Sequence, residues 1–119
     1  MKYRCVVVEA ERSERNQMQT FLSQLPNYEV VASSSNEIEA RYLVQNETID
    51  LLFLDIEMVV LIGIDFFRNL VQKPKVIFTT RHTDYEFINL KLDVVAYILK
   101  PVLFEDFFRA ILRFLEDEQ

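Results

Sequence analysis

Asp55 closes the apolar run Leu51-Leu52-Phe53-Leu54. A carboxylate at the carboxyl end of a buried parallel strand is where open α/β sheets keep their chemistry, which makes Asp55 the leading functional candidate. Three other apolar runs end in reactive types: Cys5-Val6-Val7-Val8 in Glu9-Ala10-Glu11, Val76-Ile77-Phe78 in Thr79-Thr80, and Tyr97-Ile98-Leu99 in Lys100-Pro101. Clustered carboxylates suit a hard cation such as Mg2+, a hydroxyl and an ammonium suit a phosphoryl group, and an aspartate can itself be a nucleophile. Brought together, these residues point to acyl phosphate chemistry. Ala10 is the odd member, a methyl group between two carboxylates. Of the adjacent threonines, strand alternation lets only one face a shared rim, and Thr80 is assigned that place. His82, the lone histidine, lies in a polar stretch and is read as solvated, because no His or Cys spacing supports a metal ligand set.

These residues meet only if their runs are neighbouring strands of one parallel sheet. Short β-branched or apolar runs alternate with longer helical patterns, the signature of βαβ units. Strands are predicted at about residues 4–8, 29–32, 50–55, 75–79 and 95–99. Met18, Phe21, Leu22 and Leu25 recur at spacings of three and four ahead of Pro26, predicting the first helix. Ser34 with Glu37 reads as a capping box for a second helix, with Ile38, Tyr42 and Leu43 on its apolar face and its end at Asn46, near a left-handed turn. A third helix is predicted over residues 64–72 and a short fourth over 84–91. The last begins just after Pro101, with Phe104, Phe107, Phe108, Ile111 and Leu115 on one face. Leu103, Ala110 and Phe114 lie beside that stripe and widen it; Ala110 and Phe114 represent the excess surface that suits a homodimer. Between the third strand and Gly63, Met58-Val59-Val60-Leu61-Ile62 reads as a loop whose side chains either tuck over the site or meet a partner. The expected fold class is α/β, one doubly wound domain over residues 1–119. Right-handed crossovers then place the ends of strands one, three, four and five on one rim.

Composition narrows the function. A chain of 119 residues with 50% hydrophobic content is long enough for one compact domain with a substantial core. Its net charge of -6, with Lys and Arg scattered singly, leaves no basic stripe for a phosphate backbone, so direct nucleic-acid binding by this segment is not expected. The single glycine, Gly63, excludes glycine-rich phosphate loops, and no GxGxxG or P-loop pattern supports a nucleotide-dependent enzyme. The one cysteine, Cys5, cannot form an internal disulfide and reads as an inert core thiol, which fits a cytoplasmic protein. No apolar stretch approaches membrane-spanning length, and no membrane association is expected.

In order and spacing, these motifs resemble the receiver domain of two-component response regulators, and the resemblance covers the whole chain. Val6-Val7-Val8-Glu9-Ala10-Glu11 stands where that family has its hydrophobic strand and acidic pair. Leu52-Phe53-Leu54-Asp55-Ile56-Glu57-Met58 is similar to the phosphoacceptor strand, with Gly63 at the usual distance. Phe78-Thr79-Thr80 is similar to the strand whose terminal hydroxyl binds a phosphoryl oxygen, and Tyr97-Ile98-Leu99-Lys100-Pro101 to the switch aromatic followed by Lys-Pro. The segments from Lys75 to Thr80 and from Leu92 to Tyr97 are most similar to receivers attached to LytTR-type DNA-binding domains.

The resemblance implies a flavodoxin-like (βα)5 fold with a five-stranded parallel sheet of order 2-1-3-4-5 and helices on both faces. It implies that Asp55 accepts a phosphoryl group from a sensor histidine kinase, that Thr80 takes a phosphoryl oxygen, that Lys100 pairs with the phosphoryl group, and that Tyr97 changes rotamer. Mg2+ would be held by Glu9, Asp55 and the backbone carbonyl of Glu57. Such a domain signals and is not an enzyme. Its implied partners are the kinase, a C-terminal LytTR-type DNA-binding output domain in a longer chain, and a second copy through the last helix and strand. Two departures modify this. Ala10 occupies the position whose carboxylate normally binds the metal directly, so the Mg2+ site is expected to be weak or absent and transfer to Asp55 slow. Arg81 follows Thr80 where a small residue is common, and its guanidinium would replace part of the missing charge. Two readings stay open: a phosphorylatable receiver with a weakened metal site, and a phosphorylation-independent pseudo-receiver serving as an interaction or dimerisation module. A phosphatase using Asp55 as nucleophile and Glu57 as general acid lacks substrate-binding loops or a cap domain.

Overall fold

β-branched and apolar runs become parallel strands, and the amphipathic stretches between them become helices that bury the sheet on both sides. In the computed structural model, which describes residues 2–81 and 93–118, the elements are β1 (Tyr3–Val8), α1 (Arg12–Ser23), β2 (Tyr28–Ser34), α2 (Glu37–Asn46), β3 (Leu51–Asp55), α3 (Ile56–Ile62), α4 (Ile64–Arg68), β4 (Lys75–Thr80), β5 (Asp93–Leu99) and α5 (Phe104–Asp117). The sheet order is β2-β1-β3-β4-β5, with every neighbouring pair parallel. This is the expected doubly wound topology. His82 and the short helix predicted from Asp84 to Lys91 lie outside the described residues.

Strand alternation divides the core into two layers. Cys5, Val7, Leu51, Phe53 and Ile77 pack with Met18 and Leu22 of α1 and with Phe107, Ala110, Ile111 and Phe114 of α5. Val6, Val8, Leu52, Leu54, Val76 and Phe78 pack with Ala40 and Val44 of α2, Met58, Val59 and Ile62 of α3, and Phe67 of α4. Central β3 is buried at all its positions, as a strand covered on both faces must be. Cys5 sits in this core; burial, with Asp50 and Glu29 adding, pushes its thiol up to about 12, so it stays protonated and inert at neutral pH.

The helices depart from expectation in phase and in start. The N-cap of α2 is Asn36, whose side chain accepts from the Glu39 N–H at 2.8 Å. Ser34 belongs to β2, which runs two residues further than predicted, and its hydroxyl accepts from the Asn36 N–H. Starting later, α2 turns Ala40 and Val44 inward and leaves Ile38 and Tyr42 exposed. Asn46 does end α2, but Glu47 follows in extended rather than left-handed conformation.

The stretch Met58-Val59-Val60-Leu61-Ile62 is helical, not a loop. Ile56, Met58, Val59 and Ile62 face the core while Val60 and Leu61 face solvent. The chain then turns through Gly63 at φ 106°, a conformation that L side chains rarely adopt, and this is the one place where the lone glycine is required. The next helix, α4, is shorter than predicted, ending at Arg68 and leaving Val71 exposed. On α5 the buried stripe is Phe107, Ala110, Ile111 and Phe114, spaced three, four and seven apart. Ala110 and Phe114 are therefore core residues, and the apolar excess lies at Leu103, Phe104, Phe108 and Leu112.

Candidate functional site

The register of the sheet brings the ends of β1, β3, β4 and β5 to one rim. Val8 pairs with Leu54, Asp55 with Thr79, and Thr80 with Leu99. Lys100 is then the first residue past β5, and its N–H donates to the Thr80 carbonyl at 2.7 Å, tying the two strand ends together. Glu9 is the corresponding first residue past β1.

Lys100 Nζ is the hub of this rim. It lies 2.6 Å from Glu9 Oε1, 3.0 Å from Glu14 Oε2 and 3.1 Å from Asp55 Oδ2. Lys100, Glu9 and Asp55 are all buried. An ammonium has three donors and no acceptor, and a buried charge is tolerated only when paired. Burial works against the Lys100 charge, but the Glu9, Glu14 and Asp55 carboxylates hold its pKa above the ordinary lysine value. For Glu9 the balance reverses. Burial pushes its carboxyl up to about 7 and the Asp55 charge adds to that, outweighing the lowering by the Glu11 N–H and Lys100.

The second oxygens of these carboxylates are also committed. Glu9 Oε2 accepts from the Glu11 N–H at 2.9 Å. Asp55 Oδ1 accepts from the Glu57 N–H at 3.1 Å, so Asp55 is at once a rim carboxylate and the N-cap of α3. Glu14 Oε1 accepts from Arg81 Nη2, which also reaches Glu11 Oε1 at 3.2 Å. Arg15 Nη1 donates to the carbonyls of Glu9, at 3.1 Å, and Ala10, at 3.3 Å.

The fold thus gathers Glu9, Asp55 and Lys100 into direct contact and sets Thr79 and Thr80, both buried, at the adjoining end of β4. Thr79 lines a small recess with Glu9, Glu14 and Met18. Tyr97 is half-buried on β5, stacked on Phe78 with ring centroids 5.5 Å apart. Glu14 and Arg15 were not singled out from the sequence, because they belong to α1 rather than to a strand end. The available signal was position: α1 begins within four residues of Val8, so acids and bases in its first turn must stand over the same rim.

This arrangement leaves a divalent ion few protein ligands. Ala10 offers no carboxylate, both oxygens of Glu9 are engaged, Asp55 Oδ1 accepts from the Glu57 N–H while its buried Oδ2 has only the Lys100 charge and no hydrogen bond, and Glu57 lies in the first turn of α3, where its carbonyl is turned along the helix axis toward residue 61. Among the described residues, no group of three or more His, Cys, Asp and Glu side chains has an arrangement that could hold a metal ion.

Comparison with known proteins agrees with the fold. Residues 5–112 match the response regulator receiver domain family. The chain is 31% identical over 109 residues to the sensory transduction protein LytR of Staphylococcus haemolyticus, covering 89% of this chain and 43% of that protein. It is 32% identical over 110 residues to the positive alginate biosynthesis regulatory protein of Pseudomonas aeruginosa, covering 89% of this chain and 44% of that protein. The chain therefore spans less than half the length of these relatives. Among solved structures, the response regulatory domain of mrkE from Klebsiella pneumoniae superposes with a TM-score of 0.81 at 21% identity, over 98% of this chain and 99% of that one. A receiver domain protein from Methanospirillum hungatei gives 0.79 at 23% identity, over 98% and 96%. The parallel sheet of order 2-1-3-4-5, the acid–lysine rim and the extent of the family match together establish that this chain belongs to the response regulator receiver domains of two-component signalling.

Proposed function

We propose that Asp55 is the phosphoacceptor of this receiver, taking a phosphoryl group from a sensor histidine kinase at a site where assistance from Mg2+ is weakened. The observation that carries the proposal is the buried Asp55 carboxylate at the rim, held 3.1 Å from Lys100 Nζ. The ammonium beside this carboxylate can follow the charge onto a phosphoryl oxygen as the new O–P bond forms. Thr80 would donate to another phosphoryl oxygen from the end of β4. Tyr97, stacked on Phe78, would report the change by moving from that position. Phosphorylation also bears on α3, because the Asp55 oxygen that would be modified or displaced lies on the carboxylate that caps this helix.

The test is incubation of the chain with acetyl phosphate, with and without Mg2+, followed by intact mass measurement. A labile gain of one phosphoryl group, absent in Asp55→Ala, is expected. Absence of the adduct under every condition leaves the pseudo-receiver, a reading favoured specifically by Ala10 and by the full engagement of Glu9. We assign the chain signalling rather than turnover; hydrolysis of a chromogenic phosphate ester that disappears in Asp55→Ala would reverse that assignment. The relatives named LytR and positive alginate biosynthesis regulatory protein are more than twice as long, and a C-terminal DNA-binding output domain of LytTR type, acting in the cytoplasm, is the partner region proposed for a longer chain. For a homodimer, the last helix and strand are the region proposed, with exposed Phe104, Phe108 and Leu112 along one edge of α5; sedimentation should show association that Leu112→Glu abolishes.

A further inference from the structure

The rim offers a divalent ion few ligands, since Ala10 carries no carboxylate and both Glu9 oxygens are engaged, yet it holds several positive charges. Lys100 is buried at its centre, Arg15 caps the carbonyls of Glu9 and Ala10, and Arg81 leaves β4 directly beside Lys100. One anion bridges two of these cations. Glu14 places Oε2 3.0 Å from Lys100 Nζ and Oε1 on Arg81 Nη2. The same Lys100 Nζ is 3.1 Å from Asp55. A carboxylate with its oxygens divided between an ammonium and a guanidinium thus shares Lys100 with the acceptor carboxylate, so an anion formed on Asp55 would compete with Glu14 for that ammonium.

The chemistry of the two cations suits that exchange. A guanidinium presents a planar fork of donors matched to phosphate and keeps its charge at any working pH, while an ammonium follows charge as a compact point. Glu14 is hydrogen-bonded to Arg81 on one side and held only by charge on the Lys100 side. Its Oε2 is buried but makes an ion pair without hydrogen-bond geometry, and its side chain comes from the first turn of α1 with a route to solvent, being 18% exposed. Arg81 is steadied from outside by exposed Glu11.

We propose that Arg81 and Lys100 form a two-cation clamp that stabilises the phosphoryl group on Asp55 in place of a divalent metal. Glu14 is the internal anion that fills the clamp until the phosphoryl group displaces it. The inference rests on the reading of Asp55 as phosphoacceptor. In the step itself, a carboxylate oxygen of Asp55 attacks phosphorus and forms the new O–P bond. The bond from phosphorus to the leaving group, the imidazole nitrogen of a phosphohistidine or the acetate oxygen of acetyl phosphate, breaks with its electron pair. The oxygens of the transferred group then take up Lys100 and Arg81, and like-charge repulsion drives Glu14 toward solvent.

The experiment is a time course of the acetyl phosphate adduct by intact mass, in EDTA and in Mg2+, with melting temperatures recorded for each variant. The wild type should gain the adduct at the same rate in both. Arg81→Ala should slow it in EDTA by about a hundredfold, the scale of losing one preorganised donor to a developing charge. Arg81→Lys should recover only part of the rate, and Glu14→Gln should accelerate it. Ala10→Asp should bring a dependence on Mg2+ that the wild type lacks. If Arg81→Ala fails to fold, Arg81→Gln serves in its place. An adduct that forms in the wild type only with Mg2+ overturns the clamp and leaves Asp55 as phosphoacceptor. Equal rates for Arg81→Ala and wild type in EDTA also overturn it. No adduct under any condition removes the phosphoacceptor reading and the clamp with it.

Discussion

Lys100 is surrounded by Glu9, Glu14 and Asp55 within 3.1 Å, so removing its charge leaves buried carboxylates without a counterion. Breaking a buried pair from one side costs about 3–5 kcal/mol, and Lys100→Met is expected to lose roughly that much at neutral pH in urea denaturation. Glu9 adds a pH dependence with a definite sign. Its folded value of about 7 lies above the ordinary 4.5, so between those values the folded chain binds more protons than the unfolded one. Stability is therefore expected to fall as pH rises through that window, and Glu9→Gln should flatten the slope when midpoints are measured across it. Glu9, Asp55 and Lys100 were legible as site residues because each follows or closes an apolar run, and a parallel sheet gathers such ends. Glu14 and Arg15 were not. Their role depends on which way the first turn of α1 leans over the rim, and no spacing within the helix encodes that.

At the scale of elements, α3 shows how a tertiary contact turns an ambiguous string into a helix. A continuous apolar run has no period of its own, and Met58 to Ile62 reads equally as a loop until Asp55 caps it and the α2–α4 layer takes one side. The helix must then stop at Gly63 with φ 106°, where a Cβ would meet nothing within 4 Å. Gly63→Ala is thus expected to cost about 1–3 kcal/mol through backbone conformation alone, read from the melting temperature. The capping of α2 gives a paired test. Asn36→Ala should cost about 1 kcal/mol by losing the bond to the Glu39 N–H. A helix capped instead by Ser34 would show the larger loss in Ser34→Ala. Ser34 was a reasonable sequence choice; β2 overrode it by pairing with β1 as far as Val8 and Ser34.

Across the whole molecule, the two layers decide which aromatic residues carry stability. Phe107 is fully buried against Phe53 and Phe21, whereas Phe108, its neighbour, is 40% exposed. Phe107→Ala is expected to cost about 3–5 kcal/mol through the cavity it leaves. Phe108→Ser, which removes a part-exposed ring stacked on Phe104, should cost less, about 1 kcal/mol, and equilibrium denaturation of the pair checks the orientation of α5. Both residues belong to one apolar stripe in the sequence, and helical periodicity alone could not say which side of the stripe met the sheet. The alternation of strands and helices, the acidic and basic strand ends, and the absence of glycine loops were local properties, each carried by a few consecutive residues, and they sufficed for the doubly wound fold and its reactive rim. What folding added was rotation and proximity: the phase of α2 and α5, the helix grown on Asp55, and the Arg81–Glu14–Lys100 chain. Those depend on distances between residues remote in sequence, set when helices settle onto a twisted sheet, and a carboxylate on α1 can bridge two cations from different strands only once that packing is complete.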